Sequence, residues 1–269
     1  HFLAPEVEKA LTNLGEVFGA PYDIYTKMRA GDYAMDDFEV NGKAYKNSFV
    51  TYENFYQNHE DAEIREKSFR SFSAGLRKHQ TAAAASYLAK VKSEKILADM
   101  RGYDNVFDYL LAEQEVDRSM FDRQIDLIMT EFAPVAQRYL KHVAKVNGLE
   151  KMTFADWKLD LDGELNPDVS IDDAYDLVMK SVEPLGQEYS QEVARYQSER
   201  WVDFAANENK DSGGYAADPY RVHPYVLMSW TGRMSDVYTL IHDIGHSGQF
   251  IFSDKNKRYY NDHMSTYYV

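Results

Sequence analysis

Apolar positions recur along most of this chain at steps of three and four, the period of a helix with one buried side. The clearest run joins Phe121, Ile125, Ile128, Phe132, Val135, Tyr139, Val143 and Val146. Asp117 stands where a side chain caps that helix, and Pro134 within it predicts a kink. Upstream, Pro5 opens a helical segment to about Gly19, and Pro21 opens a shorter one to about Arg29. Asp61 is placed to cap a single long helix reaching Met100. Ser170 caps a helix through Val182, Pro184-Leu185-Gly186 interrupts it, and another helix follows from about Gln187 to Arg200.

Two stretches break this period. Asn41-Gly42 between alternating residues predicts a β-hairpin over about 38–46. The polar, glycine-bearing segment 207–218 reads as a loop, and Val222 to Trp230, apolar and aromatic, reads as a strand. Pro224 cannot donate to a ladder, which predicts an edge position for that strand. Helical patterning resumes from Ser235 to about Phe252. The fold class expected is mainly α with a small β-sheet. A helical region, 1–205, precedes a region of loop, strand and helix, 206–269, that holds the candidate chemistry.

Composition narrows the classes. The 269 residues contain no cysteine, so neither a disulfide framework nor a thiolate metal site is available. The formal net charge of −14 repels phosphate backbones, which argues against nucleic acid as a partner. No apolar run approaches the roughly 20 residues that cross a bilayer, so no membrane role is expected. No basic stretch followed by an apolar one marks a secretory leader, and the expected compartment is the cytoplasm. The chain starts at His1 and stops in an aromatic stretch without a helix stop signal, so it reads as part of a larger unit, cut at both ends. Asp160-Leu161-Asp162-Gly163-Glu164 looks only weakly like a calcium loop, since the acidic series is incomplete.

The candidate chemistry lies in His242-Asp243-Ile244-Gly245-His246. Two histidines four apart on a helix share a face, and their ring nitrogens can converge on one ion. Zinc accepts neutral imidazole and leaves a position open for water. Asp243 holds the place where the H-E-x-x-H motif carries a general base. The plain alternative is a pair of surface histidines on an ordinary helix. Asp is one methylene shorter than Glu, which sets its carboxyl about 1.5 Å further from such a water, and misplacement on that scale costs roughly 100-fold in rate.

Several segments together resemble the oligoendopeptidase F branch of the M3 peptidases. The helix is similar to the H-E-x-G-H helix of that family, with Gly245 at the internal glycine. Ser212-Gly213-Gly214-Tyr215 resembles an S-G-A-Y-like loop, and His223-Pro224-Tyr225-Val226-Leu227-Met228 an H-P-Y-[IV]-L-L-like strand. Glu199-Arg200-Trp201 and Pro184 to Tyr189 are similar to further family segments, in the same order along the chain. The resemblance implies a long-helix, zincin-like oligopeptidase fold with the sheet beside the metal-binding helix. It also implies Zn2+ held by His242 and His246, Asp243 as the catalytic base, and short peptides as substrates. A third ligand, a Glu, would follow immediately after Val269, past the similar segment Met264 to Val269; His263 is not given that role. Gly213, Gly214, Tyr215, His223 and Tyr225 become candidates for holding the peptide. The glycines would close over it, and the strand at His223 to Leu227 would pair with it. The alternatives are a zinc- or peptide-binding relative weakened by Asp243, and a helical interaction protein without metal. Nothing in the sequence sets the oligomeric state.

Overall fold

The computed structural model describes residues 2–161, 167–205, 210, 213–219 and 221–256. Contacts divide the chain into two compact units, His1–Leu161 and Asp162–Val269.

The first unit is helical apart from one hairpin. Its elements are α1 (Pro5–Asn13), α2 (Gly15–Gly31), β1 (Phe38–Val40), β2 (Lys43–Tyr45), α3 (Phe49–Thr51), α4 (Ala62–Lys78), α5 (Gln80–Met100), α6 (Val106–Glu113), α7 (Arg118–Leu127) and α8 (Ala133–Val146). The hairpin forms where Asn41-Gly42 predicts it. Both residues take positive φ, 52° and 76°, as a tight two-residue turn requires, and Val40 pairs with Lys43. Asp61 caps α4 by accepting from the Glu63 amide at 2.8 Å, and Asp117 caps α7 by accepting from the Met120 amide at 2.9 Å.

Two details of this unit depart from the sequence reading. The first helical segment ends at Asn13, and Pro21 lies inside α2 rather than opening a helix. The long helix expected from Asp61 to Met100 is interrupted at His79, whose φ of −109° and ψ of 4° leave helical geometry. Pro134 acts through a π-helical turn at Ile128–Phe132 between α7 and α8. A proline ring crowds the carbonyl four residues back, and the wider turn accommodates it. A buried ion pair ties α4 to the later turn at Phe154–Asp156. Arg65 bonds Asp156 at 2.9 Å, and its guanidinium also donates to the carbonyls of His59 and Glu60.

The second unit holds α9 (Ile171–Val182), α10 (Gln187–Ser198), three short strands and α11 (Met234–Asn256). Ser170 caps α9 through the Asp173 amide. The strands β3 (Val202–Asp203), β4 (Gly214–Ala217) and β5 (Tyr225–Met228) form one sheet in the order β3-β5-β4. β5 pairs parallel with β3 and antiparallel with β4. It is therefore the central strand, which corrects the edge position expected from Pro224. The proline precedes the paired stretch, so its missing N–H removes nothing from the ladder. The edges are β3, of two residues, and β4, of four. The core joins Val178, Val193 and Tyr196 of α9 and α10 with Val226 and Met228 of β5 and Val237, Leu240 and Ile244 of α11. Thus α9 and α10, grouped by helical patterning with the region 1–205, share their packing with the histidine helix.

Candidate metal centre

Helix α11 starts where Asp236 gathers donors from the chain ahead of it. Its Oδ2 accepts from the amides of Thr231 and Arg233 at 2.7 and 3.1 Å, and from the Thr231 hydroxyl at 2.8 Å. A carboxylate there also favours the positive helix end. Val237, Leu240, Ile244 and Ser247, spaced three and four apart, form the buried stripe. His242 and His246 lie beside that stripe on the outer face, His242 exposed and His246 half-buried. Asp243 lies on its shoulder and is 3% exposed.

The two imidazoles converge. Their Nε2 atoms are 2.8 Å apart, and the rings meet nearly at right angles, 88°. With metal–nitrogen bonds of about 2.0–2.1 Å, two nitrogens this close can share one ion. One ligand atom from each of His242, Asp243 and His246 lies within 4.8 Å of the other two. Burial, then the neighbouring His242, lowers the pKa of His246, which keeps the ring neutral as a ligand must be. Burial pushes the Asp243 carboxyl up to about 6, against a smaller opposing effect of His242. Asp243 Oδ2 and His246 Nδ1 are buried without a hydrogen-bond partner among the described residues. The donor set thus fits a divalent ion, short of the third protein ligand that zinc sites use.

The carboxyl of Asp243 is turned toward β4. A Cβ placed on Gly214 would fall 2.5 Å from Asp243 Oδ2, 2.9 Å from Met228 Sδ and 3.0 Å from Thr239 Cγ2. Gly214 is thus a strand residue, paired with Met228 and packed on the histidine helix, whereas Gly213 precedes the strand with φ of 83°. Alternation along the strands then places the other candidates. Tyr215 pairs with Leu227, and Ala217 with Tyr225, one residue out of step with Gly214 and Met228. Tyr215 and Tyr225, both about half exposed, are therefore on the sheet face opposite the helix.

His223 occupies an aromatic stack. It lies flat on Trp201 with centroids 4.3 Å apart, and Arg195 covers the Trp201 ring at 4.5 Å. Tyr225 meets the His223 ring at 4.3 Å, and His223 Nδ1 bonds the Pro224 carbonyl at 2.9 Å. These contacts hold the ring in place beside β5. Ser212, Asp162 to Glu164, His263 and the segment Met264 to Val269 lie outside the described residues.

One support of the helix went unseen in the sequence. Tyr189 of α10 donates its hydroxyl to the Ile244 carbonyl at 2.9 Å, between the two histidines in sequence. Its ring lies over Gly248, where a Cβ would run into ring atom Cε2 and come within 2.7 Å of the hydroxyl oxygen and 2.8 Å of Cζ. A glycine deep in a strongly patterned helix was the available signal, since helix propensity alone disfavours it.

Paired imidazoles and a carboxyl on one helix, laid along a sheet, form a group that could hold a metal ion. The chain matches the profile of peptidase family M3 over residues 55–268, and it belongs to that family. It is 30% identical over 258 residues to an oligoendopeptidase F homolog of Borreliella burgdorferi, covering 95% of this chain and 43% of the relative. It is 25% identical over 264 residues to oligopeptidase PepF of Bacillus subtilis, covering 96% of this chain and 38% of that protein. The chain therefore spans about two fifths of the length of these relatives. The fold resembles that of PZ peptidase A with TM-score 0.74 at 19% identity, covering 92% of this chain and 43% of the other.

Proposed function

We propose that this chain carries the metal-binding part of a zinc-dependent endopeptidase that hydrolyses short oligopeptides. The observation that carries the reading is the meeting of His242 and His246 at 2.8 Å beside the buried Asp243 carboxyl. His242 and His246 would hold the ion through Nε2. A bound zinc ion supplies Lewis acidity, which lowers the pKa of water and polarises a peptide carbonyl. Asp243 would accept the proton of the attacking water and return it to the leaving amine. The peptide would lie extended along β4, whose outer backbone groups are free of β5, adding a strand to the sheet. Gly213, Tyr215 and Tyr225 would then act at the margin of that strand, and His223 by holding β5 in place.

The acidic surface disfavours nucleic acid. No described helix is long and apolar enough to cross a membrane. With no cysteine present, a reducing cytoplasm is the compartment this reading favours.

The test uses the intact protein. Zinc at about one ion per chain and chelator-sensitive cleavage of a short fluorogenic peptide are expected, both lost in His246→Ala. Cleavage that survives chelation and His246→Ala would refute the reading. A second reading follows from the short Asp243 side chain: a zinc- or peptide-binding relative with weakened catalysis. It requires Asp243→Glu to raise turnover, and it fails if that change lowers it.

A further inference from the structure

Gly214 is not required by its backbone. Gly213, its neighbour, takes a positive φ, but Gly214 has ordinary strand geometry and carries regular pairing to Met228. What excludes a side chain is space. The position of its missing Cβ is enclosed by Asp243 Oδ2, Met228 Sδ and Thr239 Cγ2, at 2.5, 2.9 and 3.0 Å. None of the three moves aside easily. Met228 is 1% exposed and Asp243 3%, and the Thr239 hydroxyl is tied to the Ser235 carbonyl at 3.0 Å. Asp243 Oδ2 has no hydrogen-bond partner among the described residues, so its position is set by packing.

We propose that Gly214 is a positioning residue for Asp243, its missing side chain being the seat of the Asp243 carboxyl group on β4. A short carboxylate stays close to its own helix. It meets the edge strand β4 only where that strand comes in without a side chain. The strand that would carry the peptide and the group that would handle the proton are thus brought together by one absent methyl. The assignment rests on the reading of Asp243 as the proton acceptor.

In the intact protein, Gly214→Ala displaces the carboxyl by about an ångström, and kcat falls about 100-fold. KM and zinc content change little, because β4 and the histidine pair remain. In Gly214→Ala/Asp243→Glu, the added methylene lets the carboxyl turn past the new methyl, and at least tenfold of the lost kcat returns. A second readout needs neither metal nor turnover. In the metal-free protein, Gly214→Ala lowers the melting temperature when Asp243 is present and far less in an Asp243→Ala background. If Gly214→Ala does not fold, the double variant with Asp243→Ala folds. Equal destabilisation in both backgrounds overturns the assignment, as does a double variant that fails to fold. Inactivity of Asp243→Asn beside full turnover of Gly214→Ala overturns this assignment alone. Full turnover of Asp243→Asn overturns the reading of the base as well.

Discussion

Two glycines three residues apart in α11 should respond to alanine in opposite directions. Gly245 has nothing within 4 Å of its Cβ position among the described residues, so Gly245→Ala gains helix propensity of up to about 1 kcal/mol. Gly248 carries the same gain but lies under Tyr189. Its added methyl would run into ring atom Cε2 and come within 2.7–2.8 Å of the phenol end, where nonbonded carbons prefer about 3.5–4.0 Å. The ring must then move by about 1.5 Å, and overpacking of this kind costs about 1–3 kcal/mol. The shift also breaks the hydrogen bond to the Ile244 carbonyl, worth about 1 kcal/mol. Set against the propensity gain, Gly248→Ala loses about 1–3 kcal/mol. Urea unfolding of the two single variants measures both signs, with an unchanged slope showing that stability alone has moved. Removing the ring with Tyr189→Ala should make Gly248→Ala nearly harmless, or favourable, in that background. Stabilisation by Gly248→Ala in the presence of Tyr189 would refute the account of Tyr189 as a brace on the histidine helix.

Two further outcomes can be checked. Burial raises the pKa of Asp156, but hydrogen bonds from Thr153 and Arg65 outweigh it, so the net shift is downward. Its contribution is therefore present above the unfolded value, about 3.9, and lost as pH falls through the folded value. Asp156→Asn should cost about 3 kcal/mol near neutral pH and flatten the acid limb of the stability curve; an unaltered limb in acid titrations followed by circular dichroism would contradict this. His223→Ala removes the ring packed between Trp201 and Tyr225 and should lower the melting temperature by several degrees with zinc content intact, whereas loss of zinc at unchanged stability would assign His223 to the metal centre.

What the sequence made legible was local chemistry. Asp61, Asp117 and Ser170 cap the helices they precede because a short polar side chain and an amide two or three residues on suffice. Asn41-Gly42 dictates its turn through backbone angles alone. The approach of His242 to His246 follows from one turn of helix. The break at His79 carries no glycine or proline, so nothing local announces it, whereas the break after Asn13 is followed by Gly15, a signal the helical pattern overrode. The central place of β5 depends on partners about 10 and 25 residues away in sequence, and Pro224 pointed the wrong way because it falls just ahead of the ladder. Gly214 looked like loop flexibility; only its approach to a helix some 30 residues later shows that it is a matter of volume.

The strand order has a consequence for selectivity. With β3 on one flank of β5 and β4 on the other, the sheet has two outer rails among the described strands, and the longer, β4, is the one packed on the histidine helix. An extended guest on that rail turns successive side chains to opposite faces, one toward α11 and the next toward the side where Tyr215 and Tyr225 lie. Preference among guests should therefore alternate with a two-residue beat, odd positions judged by one wall and even positions by the other.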